Sequence, residues 1–240
     1  IKINRVAGHG VFITGDEFSI RKAMKTCCTY AIGSKVIEET YDYRMNIEEE
    51  ELWINNFGKD NFEKSIEVIH AVEEKFDVAY TDYSFRMLAE YLSIQLFRTR
   101  MGNVITEDIY IPETFNRNES LVNMVVEYFE QLGKVNLNEY EKQYIDILFA
   151  SAAVQTVENA NKVHMISEFE EKNKEICEEM LEYLSEILNI NLLDNELLRT
   201  SLEGFIPASI VRTAYGIEVK NPFLSDIREM YSGISPHVLH

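Results

Sequence analysis

An all-α fold follows from three observations. From Asp16 onward the apolar residues recur at three- and four-residue spacing; only 10 Gly and 4 Pro are available to punctuate the 240 residues; and alternating, strand-like patterning is confined to residues 1–15. In that first stretch Ile1-Lys-Ile-Asn-Arg-Val alternates, Gly8-His9-Gly10 breaks the run, and Val11-Phe-Ile-Thr resumes before Gly15, which predicts a small β-hairpin.

Asp16 stands where the cap of a long helix over 16–32 belongs, and a second helix is expected over 48–57. The acidic run Glu48-Glu49-Glu50-Glu51 opens it. Contiguous helical residues point in different directions and cannot converge on one cation, so the run reads as a solvated helix start favoured by the helix dipole. Helices over 62–76 and 83–100 follow from Phe62, Ile66, Ile69 and Phe76 and from Phe85, Leu88, Leu92 and Leu96, with Asp82 as the expected N-cap of the latter. Leu121, Val125, Phe129 and Leu132 predict a helix over 119–132. Another is expected over 139–160, where Asn138 as N-cap and Glu141 three residues later form a capping-box pattern. Helices over 168–189, 195–213 and 223–231 complete the reading.

The composition bounds function. A chain that is 46% hydrophobic and 27% charged can bury a sizeable core. It has no run of about 18 apolar residues, so no membrane span is expected, and residues 1–15 lack the apolar core of a signal peptide. The net charge of −18 repels polyphosphate, so direct nucleic-acid binding by this segment is not expected. Cys27, Cys28 and Cys177 are odd in number and lack metal-binding spacing, which reads as reduced thiols in a cytoplasmic protein. No glycine-rich phosphate loop, nucleophile elbow or paired Cys–His arrangement occurs, and no cofactor is expected.

One motif carries some metal chemistry. Glu67-x-x-His70 has the helical spacing that di-iron carboxylate bundles use, but that site needs a second copy, and His164 is preceded at the same spacing by Asn161. Coincidence on a helix face is the better reading, so neither a metal site nor an enzyme is expected.

The stretch Phe205-Ile-Pro207-Ala-Ser-Ile-Val-Arg212, a short Gly-containing hairpin, Asn221-Pro222-Phe-Leu and a closing helix ending in Tyr231 resembles the PTS regulation domain. That family is the helical sensor region of sugar-responsive bacterial activators and antiterminators. The pattern of a helix, an Asp-containing loop and a helix ending in Arg occurs twice, as Phe62 to Arg98 and as Phe169 to Arg212. Glu141-x-x-Tyr144-Ile145 is similar to the helix that closes a domain of this family. Gly8-x-Gly10-Val-Phe-Ile-Thr-Gly15-Asp16-Glu-Phe-x-Ile-Arg21 resembles the link from a winged-helix wing to the first sensor helix.

The resemblance implies the end of a wing over 1–15, linking helices over 16–58, a first regulatory domain over 59–165 and a shortened second one over 166–240. It implies a homodimer that controls DNA or RNA through a domain upstream of Ile1, with phosphotransferase-system proteins as partners. It also locates the family's phosphorylated histidines. Counting back seven residues from Arg98 gives Tyr91, and counting along from Glu141 gives Leu148. The second copy gives Phe205 from Arg212 or Gly204 from Pro207, and both stay open. None is histidine, so the expectation is a regulator whose histidine switch is substituted, with Arg98 and Arg212 as candidate anion contacts. The alternatives are a helical small-molecule-binding or scaffolding domain without sugar control and, behind it, a metal-binding four-helix enzyme.

Overall fold

A computed structural model describes residues 1–6, 10–32, 44–45, 47–111, 118–155 and 169–218. The fold is all-α. Its one sheet among the described residues is a two-stranded antiparallel hairpin, β1 (Lys2–Val6) with β2 (Gly10–Thr14), in which Ile3 lies opposite Ile13 and Arg5 opposite Val11.

Asp16 Oδ1 accepts the Ser19 N–H at 2.8 Å and starts α1 (Glu17–Ile32) directly after the hairpin. The following helices are α2 (Ile47–Phe57), α3 (Lys59–Phe76), α4 (Asp82–Arg100), α5 (Glu119–Gln131), α6 (Glu139–Ala150), α7 (Phe169–Leu188) and α8 (Glu196–Tyr215). The 48–51 acidic run occupies the first turn of α2.

Helix α4 is the axis of the main body. Thirteen of its nineteen residues are buried, which is the signature of a helix enclosed on every side. It packs against α1, α2, α3 and α6. Trp53, Phe57, Phe62, Val72, Tyr91, Leu92, Phe129 and Tyr144 belong to the single large core that results. Helices α7 and α8 form a hairpin around a much smaller core of Cys177, Leu181 and Ile206. Val211 and Ile217, at the far end of the pair, join the main core instead.

Three local expectations differ from the structure. Thr81, not Asp82, caps α4: its side chain accepts the Ser84 N–H, and Asp82 is the first helical residue, where its charge still suits the helix dipole. The helix expected over 139–160 ends at Ala150. Residues 151–155 turn to pair with the α3–α4 loop, through Thr81 N–H to Ala153 O at 3.0 Å and Gln155 N–H to Ala79 O at 2.7 Å. Asn138 caps α6 as expected, donating nothing to Glu141 and accepting its N–H at 2.9 Å, but the Glu141 carboxylate does not close the capping box. It turns into the core. The helix expected over 223–231, together with Asn221 and Pro222, lies outside the described residues, as do His9, His164, His237 and His240.

Candidate functional site: a buried charge clamp on the first helix

Helix α1 docks on the main body through Phe18, Met24 and Cys28, which pack against the core, and through a row of charges. Glu17, Arg21 and Lys25 fall at four-residue intervals and so share one face of the helix. Arg21 is fully buried. Its guanidinium donates two parallel bonds of 2.7 Å to the equally buried carboxylate of Glu141 on α6, and a third to Glu17 at 3.1 Å. Glu141 also accepts from Gln95 of α4 at 2.8 Å and from the Ile105 backbone N–H at 2.8 Å. Each charge thus has the hydrogen bonds that a buried ion requires.

The ring of Tyr144 lies 5.0 Å from the Arg21 guanidinium, and Phe18 meets Tyr144 edge-on. Burial works against the Arg21 charge, yet the hydrogen bonds and field of Glu141 outweigh it and hold the guanidinium more firmly protonated than usual. Along the same face, Glu17 accepts two bonds from Arg98, at 2.8 and 2.7 Å, and Lys25 pairs with Glu90 at 2.7 Å. A second set of contacts ties α1 to the end of α8: Lys22 donates to the Tyr215 carbonyl at 3.0 Å, and Thr26 donates to Glu218 at 3.1 Å.

The end of α8 is shaped for this. Gly216 sits at φ 61°, and Ile217 N–H returns to Arg212 O at 2.9 Å, closing the helix with a left-handed residue. A side chain at 216 would be strained at that φ and would press on Lys22 Nζ, 3.3 Å from the position of its Cβ.

Of the residues marked by the sequence, Arg98 belongs to this clamp through Glu17, and the others are distributed around it. Tyr91 is fully buried on α4, its hydroxyl accepting the Glu218 N–H at 3.4 Å, and burial raises its pKa strongly. Leu148 is fully buried on α6. Gly204 is buried and Phe205 is half exposed on α8.

Arg98 is engaged by Glu17. Arg212 has no carboxylate partner among the described residues. Its guanidinium donates to Ser151 O at 3.2 Å and Ser209 Oγ at 2.8 Å, and lies 5.0 Å from the Phe205 ring centroid. Burial without a counter-ion holds its pKa below the ordinary arginine value. Glu67 accepts the Tyr128 hydroxyl, whereas His70 faces Glu73 at 3.3 Å and the Phe85 ring, so the two do not converge. No group of three His, Cys, Asp or Glu residues suited to a metal occurs among the described residues. No described helix is long and apolar enough to cross a membrane.

Reasoning from sequence missed Arg21, Glu17, Lys25, Glu90 and Gln95. The available signal was the four-residue spacing of 17, 21 and 25, which also suits an ordinary solvated face. Comparison with known proteins returned no match to any protein family, curated protein or solved structure.

Proposed function

We propose that this chain is the regulatory and dimerisation region of a bacterial transcriptional regulator or antiterminator of the PTS regulation domain kind, in which the histidine switch has been replaced. The observation that carries the reading is the clamp on α1. The helix continues directly from the β-hairpin, and it is fixed to α4, α6 and α8 by buried ion pairs and carbonyl contacts. Such a helix is suited to pass a change in the packing of the body to a DNA- or RNA-binding domain upstream of the hairpin.

Two further features support the substituted switch. A histidine phosphocarrier needs an accessible imidazole acceptor, and positions 91 and 148 hold a buried tyrosine and a buried leucine. Arg98 is already neutralised by Glu17. The trigger in this reading is therefore a ligand or a partner, with the region working as a cytoplasmic homodimer.

Light scattering over a dilution series, with and without the general phosphotransfer proteins, tests the proposal. The expected result is a dimer whose mass is unchanged by the cascade, with Tyr91, Leu148, Gly204 and Phe205 unmodified. A mass that shifts on phosphotransfer, with phosphate on His70 or His164, would overturn the substituted switch and the alignment behind it. A monomer at every concentration would overturn the dimerisation role.

A further inference from the structure

We infer that the cleft between the start of α1, the 105–110 segment and the end of α8 binds a small organic cation with an apolar body. Its volume is about 460 Å³, within the range of small-molecule sites. Phe18, Tyr110 and Tyr215 supply aromatic surface from three separate parts of the chain. Asp16, Glu17, Glu107 and Asp108 supply carboxylates, and no described Lys or Arg lines the cleft.

The carboxylates are not equivalent. Asp16 accepts the Ser19 N–H, Glu17 holds Arg21 and Arg98, and Asp108 accepts from Gln143 at 2.8 Å. Glu107 is exposed and has no partner among the described residues, and Asp16 and Asp108, also exposed, accept from neutral N–H donors, so these three charges are open to a ligand while that of Glu17 is met by two arginines. The helix ends act in opposite senses. The positive N-terminus of α1 is offset by Asp16, whereas Ala214 and Tyr215 bring the negative end of α8 to the cleft, which favours a cation.

The chain itself displays the recognition on the adjoining surface. The Lys22 ammonium stands 4.7 Å from the Phe18 ring centroid and donates to the Tyr215 carbonyl at 3.0 Å. Phe18 and Tyr215 thus already hold an ammonium by a ring face and a helix-end carbonyl. An anionic ligand would meet the charges of Asp16, Glu107 and Asp108, and a neutral one would forgo their attraction. A cation seated in the cleft would touch the start of α1, the end of α8 and the segment between α4 and α5 together.

Phenethylamine, with phenethyl alcohol and phenylacetate as shape-matched neutral and anionic probes, tests this by titration followed by protein and ligand NMR. The amine is expected to bind saturably and about tenfold more tightly than the alcohol, with the carboxylate weaker still. A net charge of −18 attracts any cation weakly, so the site is read from variants at exposed side chains that leave the clamp intact. Glu107→Gln is expected to weaken the amine roughly threefold, and Tyr110→Ala to weaken it comparably. Equal binding of the three probes, no saturable amine binding, or amine affinity unchanged in both variants would overturn the inference. The result is separable from the regulatory reading: loss of amine binding leaves the phosphotransfer-independent dimer standing, and phosphotransfer on a histidine leaves the cation site standing.

Discussion

Arg21 and Glu141 are 120 positions apart and meet with neither side chain exposed. Removing one partner strands the other charge out of water, so Arg21→Met or Glu141→Leu alone is expected to cost about 3–5 kcal/mol in urea unfolding followed by circular dichroism. The double variant should recover part of that loss, because a buried ion pair replaced by apolar groups of similar volume is often neutral or stabilising, while Gln95 and the Ile105 N–H still lose the carboxylate they donate to. Single variants that cost less than about 1 kcal/mol would show that water reaches the pair. The same residues mark what a sequence can disclose. Asn138 followed by Glu141 is a legible start for α6, and Asn138 does cap it. Glu141's actual partner is not legible, because a local spacing rule cannot announce a contact over that separation, and a capping carboxylate looks identical to a core one. Arg98 reads from the sequence as a candidate anion contact; that Glu17, beside Arg21, takes that place does not.

At the scale of elements, periodicity located each described helix because each has an apolar face to bury, and the ends went astray where tertiary pairing took over. The apolar pattern runs on past Ala150, but Val154 there forms a bridge with Tyr80 instead of another helical turn. The caps were legible at Asp16 and Asn138, and less so at α4, where adjacent Thr81 and Asp82 both suit the role. Helix α2 offers a direct probe of docking. Trp53, the only tryptophan, is fully buried, stacks on Phe57 at a centroid distance of 5.1 Å, and Phe57 in turn meets Phe97 of α4 edge-on. Its fluorescence is therefore expected to be blue-shifted in the native state and to move to the red in Phe57→Ala, with a stability loss of about 3–5 kcal/mol. Solvent-exposed emission from the native protein would mean that α2 does not dock against α4.

The whole molecule joins two unequal cores. The main one unites α2 to α6 with parts of α1 and α8, whereas Cys177, Leu181 and Ile206 are the buried residues of the other. Met180, Tyr183, Ile190, Leu197 and Phe205 are exposed in the same α7–α8 region. With less apolar surface withdrawn from water, this hairpin opens at lower free energy than α4. Amide hydrogen exchange is expected to be at least about tenfold faster in α7 and the first half of α8 than in α4. The second half of α8, held by Arg212 to Ser151 and by Tyr215 to Lys22, should exchange more slowly than the first half. Dilution separates the two origins of any protection in the hairpin. If its exposed apolar residues pair two chains, exchange slows as concentration rises; a rate independent of concentration assigns the protection to the chain's own core. Uniformly slow exchange across α4 and α7 at every concentration would mean that the small core unfolds only with the large one, and that the two are a single cooperative unit.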